Sequence, residues 1–272
     1  MKKPAFLLIV FFAVMAIFGA IFFVNSNKKT DELAITPTPS LVDEGKVLDF
    51  SLNNPLVLAY PRSDGNAVIL EISKLNGINK VSYEMIYQTK TQQEGTLGTP
   101  IVLKSGETSI KRELLFGTCS KNVCRYHEGV ESGSLSIKFA KIEGPQDEWR
   151  ADFKIETTAA GKKLTSMDNN FSLEMPGAPK SLYVITSSVS SLPAPIEGKT
   201  VADQPYGVFP ASPLIMKNMI VSIKVKNPDP AMKIYGWNED KLEWINYDGE
   251  MDSEKQLITA KVDRLTIFAV AK

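Results

Sequence analysis

Side chains able to do chemistry are few in this sequence, and they are widely spread. Cys119 and Cys124 enclose Ser120-Lys121-Asn122-Val123, between strand-like flanks at Arg112 to Phe116 and at Arg125-Tyr126. Outside the cytosol such a pair is read as a disulfide stapling a hairpin, with a redox-active dithiol and a zinc site as alternatives. Zinc would need two further ligands, and His127 is the only histidine. A bridge closing so small a loop contributes about 2 kcal/mol or less. Nucleophilic catalysis has only His127 to draw on, with no Gly-x-Ser-x-Gly elbow, so it reads as a surface histidine on a strand. The acid pairs Asp147-Glu148 and Glu239-Asp240 would run hydrolysis only if carboxylates met about 5–9 Å apart across a cleft. They read instead as solvated residues of turns or strand starts. Tyr235, Trp237, Trp244 and Tyr247 flank the turn Asn238-Glu239-Asp240-Lys241. They suit either an aromatic platform for sugar stacking or cross-strand packing. There is no Gly-rich phosphate loop, no calcium loop and no basic aromatic run, so no cofactor and no metal are expected. Lys plus Arg and Asp plus Glu balance at 31 each, which gives no field to attract nucleic acid.

The elements that must position these residues begin with an apolar run from Pro4 to Val24, preceded by Lys2 and Lys3 and broken by no charge. About 20 apolar residues in a helix span a hydrocarbon core. The run is longer than the core of a secretory signal, so a retained transmembrane helix at 4–24 is expected, held in the lipid bilayer. Cleavage after Ser26 is the alternative, and it would leave a secreted protein. Residues 1–3 form the cytoplasmic tail and the bulk lies outside, because a long C-terminal part translocates largely regardless of its charge. Residues 25–46 are polar, with Thr36-Pro37-Thr38-Pro39-Ser40 at their centre, and read as a stalk.

Beyond the stalk, period-two alternation dominates. Val68, Leu70 and Ile72, then Val81, Tyr83 and Met85, then Leu135, Ile137 and Phe139 each alternate with residues of the other face. Val221, Ile223 and Val225 do the same later in the chain. No segment past the anchor carries a helical stripe over three turns. The fold class is therefore all-β, as two antiparallel β-sandwich domains behind one N-terminal transmembrane helix. The boundaries expected are 47–158 for the first sandwich, 159–166 for a linker and 167–272 for the second.

The last forty residues carry a pattern. Tyr235-Gly236-Trp237-Asn238, Leu242-Glu243-Trp244 and Leu265-Thr266-Ile267-Phe268-Ala269-Val270 resemble the ending of GAIN-type sandwiches of adhesion receptors and bacterial surface proteins. Tyr206 to Pro210 and Ile220 to Val225 are also similar to related surface-protein sandwiches. The family's self-cleaving members place a histidine two residues before the hydroxyl nucleophile. The matching positions here are Arg264, Leu265 and Thr266. Arginine stays protonated and cannot act as base near neutral pH. Asp263 is expected to point to the opposite face from Arg264. The resemblance thus implies a GAIN-like fold with self-cleavage lost. The first module resembles immunoglobulin or fibronectin type III domains of bacterial surface proteins.

The function expected is non-enzymatic: a single-pass protein of the cell membrane, acting in adhesion or protein–protein contact in the cell envelope. A carbohydrate-binding ectodomain using the aromatic hairpin is the first alternative. A self-processing or hydrolytic envelope protein is the second.

Overall fold

The period-two runs named above become strands, Val225 alone falling just past its strand's end, in the computed structural model, which describes residues 46–121, 123–159, 161–179 and 182–272. The anchor expected at 4–24 and the stalk, apart from Lys46, lie outside the described residues. The first strands are β1 (Lys46–Val47), β2 (Leu56–Pro61), β3 (Ala67–Ser73), β4 (Ile78–Gln88), β5 (Gln93–Leu97), β6 (Ile101–Val102) and β7 (Ile110–Leu115). A ribbon of β8 (Gly117–Ser120) and β9 (Val123–Tyr126) precedes β10 (Ser132–Lys141) and β11 (Asp147–Thr157). Then come β12 (Lys162–Thr165), β13 (Phe171–Met175), β14 (Tyr183–Ser188), β15 (Tyr206–Pro210) and β16 (Ile215–Lys224). The chain closes with β17 (Lys233–Asn238), β18 (Glu243–Tyr247), β19 (Gly249–Asp252), β20 (Leu257–Arg264) and β21 (Ile267–Ala271). The described residues are all-β, and no helix among them is long and apolar enough to cross a membrane.

One long sheet organises the rest. Its strands run β18-β17-β21-β15-β14-β11-β10-β4-β5, with β1 added beside β11 and β6 beside β4. Pairing is antiparallel except for β1 on β11. A three-stranded sheet, β2-β3-β7, and a five-stranded sheet, β12-β13-β16-β20-β19, complete the core layers. The three-stranded sheet packs on one face of the long sheet. Val68, Leu70 and Ile72 there meet Val81, Met85, Ile137, Phe139, Phe153 and Ile185 in one apolar cluster. The five-stranded sheet packs on the opposite face near the C-terminal strands. Leu173, Val221, Ile223 and Ile258 there meet Val184, Val208, Ile234, Phe268 and Val270 in a second cluster.

The sandwich of layers accounts for two kinds of strand sequence. β4, β10 and β11 bury one face only, so their apolar residues alternate with Glu84, Ser136 and Arg150. β14, β15, β17 and β21 lie under cover on both faces, so their alternation is lost: Ile234 to Trp237 and Ile267 to Ala271 are continuous buried apolar runs, and β14 buries Thr186 and Ser187 beside Val184 and Ile185. Within β21, Ile267 and Ala269 enter the first cluster while Phe268 and Val270 enter the second.

The sequence suggests a linker at 159–166. There the structure has β12, an edge strand paired through Leu164 to Leu173. The long sheet crosses this boundary without a break, because Phe153 to Thr157 of β11 pair with Tyr183 to Ser187 of β14. There are two cores, then, and they share one sheet. A strand sequence tells which residues alternate; it does not tell which distant strand lies alongside.

Candidate functional site

Cys119 and Cys124 form a disulfide between directly opposed residues of β8 and β9, their Cα atoms 4.0 Å apart. The two strands make a separate two-stranded sheet, and every side chain from Thr118 to Ser120 and from Val123 to Tyr126 is exposed. A lone hairpin is marginally stable in water, so the covalent link does here what core packing does elsewhere. The ribbon's base is pinned from three sides. The His127 amide donates to the Phe116 carbonyl at 2.8 Å. The Tyr87 hydroxyl lies 3.0 Å from His127 Nδ1. The Arg62 guanidinium sits 5.1 Å from the centroid of the Tyr126 ring, an arrangement that attracts a cation to the ring face. Arg62 is itself bound at 2.7 Å to both Asp64 oxygens, and this pairing holds the Asp64 carboxyl well below the usual carboxylate range. Where the ribbon leaves the sheet, Gly117 has φ +147°, and a Cβ there would lie 2.1 Å from the Arg125 carbonyl oxygen. Only glycine fits that crossing.

His127 is therefore not a free surface histidine on a strand. It follows β9, is half-buried, and spends Nδ1 on Tyr87. The sequence offered no sign of this, because Tyr87 is forty residues away.

The register also fixes where the ribbon stands on the molecule. The described chain enters at Lys46, opposite Asp147 at the start of β11. Phe139 pairs with both Asp147 and Val81, so the starts of β11 and β4 and the end of β10 share that end of the sheet. Tyr87, Gln88, Ser132 and Lys154 lie at the other end, roughly 23 Å away at ~3.3 Å per residue. The ribbon rises from this far end through Tyr87, Phe116 and His127. An open cleft of about 660 Å³ is found there too, lined by Glu131, Ser132, Lys154, Glu156, Lys162 and Tyr183 among others. Its charges are largely committed: Lys162 is 3.1 Å from Glu156, and Lys154 donates to the Thr165 hydroxyl at 2.6 Å.

The C-terminal motif is assembled differently. Arg264 ends β20, and Leu265-Thr266 join it to β21. The Thr266 hydroxyl donates to the Trp237 carbonyl at 2.7 Å, so its proton is directed at the main chain of the neighbouring strand. Asp263 and Arg264 do not point apart. The guanidinium turns back at the strand end and binds both Asp263 oxygens at 3.1 and 3.3 Å. Arg264 depresses the Asp263 carboxyl, helped by a hydrogen bond from the Tyr247 hydroxyl, and Asp263 in turn raises Arg264.

The four aromatic residues of the 235–247 hairpin do not share a surface. Tyr235 and Trp237 are buried in the first cluster. Trp244 lies edge-on to Trp237 at 5.3 Å between centroids and donates its indole N–H to the Ala194 carbonyl at 3.0 Å. Tyr247 packs on the opposite face, against the second cluster. Of the acid pairs, Glu239-Asp240 is exposed in its turn, whereas Glu148 is buried, accepting bonds from the Ser136 hydroxyl and from Arg150 at 2.9 and 2.8 Å. Asp147, one residue away, pairs with Lys141 at 2.8 Å. Among the described residues no group of three His, Cys, Asp or Glu side chains is placed to hold a metal ion.

No protein-family profile matches this chain, and no curated protein matches it.

Proposed function

We propose that this chain is a single-pass, membrane-anchored protein of the cell envelope, held by residues 4–24 and a stalk at 25–46. In this reading the N-terminus is cytoplasmic, and the end of the long sheet remote from Lys46 makes contact with another protein. The observation that carries it is the disulfide of a fully exposed ribbon. A disulfide fits an oxidising compartment, and a covalent clamp on a ribbon without core contacts suits an element that must keep its shape for a partner. The role is contact rather than catalysis. Residues 47–158 and 167–272 are read as two sandwich modules sharing a sheet. The GAIN-like reading of the second is supported by its last strand, which follows Leu265-Thr266 directly and lies inside the sheet between β15 and β17. Self-cleavage is lost in this reading, and intact-mass measurement of purified protein should show one uncut chain.

The contact role is tested in intact cells with a photo-crosslinking amino acid at Thr118 on the ribbon, and in a second variant at Ile142, exposed near the entry end. The expected result is a protein adduct of discrete mass at Thr118 and none at Ile142. No adduct at Thr118, or equal adducts at both positions, contradicts it. The packing of Trp237 and Trp244 gives the glycan-platform reading no comparable support.

A further inference from the structure

We infer that the ribbon recognises an extended acidic segment of a protein partner, which adds to it as a third strand. This rests on the contact role proposed above and names the chemistry of the partner. Among the described residues the ribbon is only two strands wide, so β8 and β9 each keep one edge without a strand partner there. Unpaired strand edges are templates for strand addition. Most exposed edges are a hazard because they flex and pair unselectively. This one is held in register by the Cys119–Cys124 bridge, which lowers the ordering cost of binding.

Charge selects the partner. Lys121 and Arg125 are the only charged residues from Gly117 to Tyr126, both are exposed, and neither has a salt-bridge partner among the described residues. Of the carboxylates near the ribbon's base, Asp64 and Glu113 are committed to Arg62, and Glu94, opposite Tyr87 on β5, accepts a hydrogen bond from the Gln92 amide. The next acid along the chain, Glu128, lies past the ribbon. Alternation places Thr118, Ser120, Val123 and Arg125 on one face, away from the disulfide, where they line a shallow hollow of about 360 Å³. Val123, 66% exposed, supplies an apolar anchor between two hydroxyls and a guanidinium. An added strand bearing a carboxylate at every second residue would meet Arg125 with that charge, while its main chain bonds the open edge.

The test uses the full chain in detergent and three synthetic eight-residue peptides: alternating Thr and Glu, the same peptide with alternate amides N-methylated, and alternating Thr and Lys. Binding is read by fluorescence anisotropy. The Thr–Glu peptide should bind, while N-methylation and Lys substitution should each weaken binding at least about tenfold. Lys121→Glu/Arg125→Glu should abolish it, and the milder Lys121→Gln/Arg125→Gln should weaken it, both with unchanged thermal unfolding. Binding indifferent to N-methylation, or to charge reversal, overturns the inference, as does no binding at all. Self-association of the chain lost on charge reversal, without peptide binding, would instead make a second copy the occupant and also overturn it. A Thr118 adduct in cells together with peptide failure leaves the contact role standing and removes only this partner chemistry.

Discussion

At the scale of single residues, the polar groups that sequence inspection would nominate for chemistry are mostly engaged in holding strands together. Tyr206, buried in the second cluster, donates to Asp168 Oδ2 at 2.6 Å in the turn between β12 and β13. Burial opposes the Asp168 charge, but hydrogen bonds from Ser166, Tyr206 and Asn170 outweigh it and lower that carboxyl below its ordinary value. The folded chain then binds fewer protons here than the unfolded chain. The resulting stability is fully present above the unfolded aspartate value, about pH 4, and is lost as pH falls through the lowered one. Tyr206→Phe should therefore cost about 1 kcal/mol at neutral pH, and less at pH 3. Urea unfolding at both values checks this; an equal loss at both would contradict it. Thr266 follows the same pattern, its hydroxyl donating to the Trp237 carbonyl of the neighbouring strand.

At the scale of elements, legibility in the sequence depended on burial geometry. β3, β4, β10 and β16 could be read because each keeps a polar face. β11 carries the same signal, Trp149, Ala151, Phe153 and Ile155 alternating with Arg150, Asp152, Lys154 and Glu156, and was open to the same reading. β17 and β21 are apolar on both faces, so their sequence marks them as strands without saying which residues face which core. That ambiguity is why the Tyr235–Tyr247 hairpin suggested a platform, when its side chains divide between the two clusters. The cysteine hairpin could be read from spacing alone. Its position at the far end of the sheet could not, since that depends on the pairing of β1 with β11 and of β4 with β10. Replacing both cysteines, Cys119→Ser/Cys124→Ser, should cost about 2 kcal/mol or less of global stability. Hydrogen exchange should show the loss concentrated in Gly117 to Tyr126, with β10 still protected. Equal loss of protection in ribbon and core would mean that the ribbon is part of the folding unit.

At the scale of the whole molecule, the shared sheet makes the two cores interdependent. β14, β15, β17 and β21 present one face to each cluster, so melting either core uncovers the other's wall. Unfolding should be a single transition, with β10 and β16 amides losing protection at the same denaturant concentration. Separate midpoints would show independently stable modules. The same architecture puts the entry strand at one end of the long sheet and the clamped ribbon at the other, the arrangement on which the contact role proposed above rests. The most direct measurement of that account is differential thiol labelling on intact cells. A membrane-impermeant reductant and an impermeant maleimide are applied, and the peptide carrying Cys119 and Cys124 is weighed. The account predicts no label without the reductant and two labels with it. Free thiols before reduction, or cysteines that stay out of reach until the cells are lysed, would contradict it.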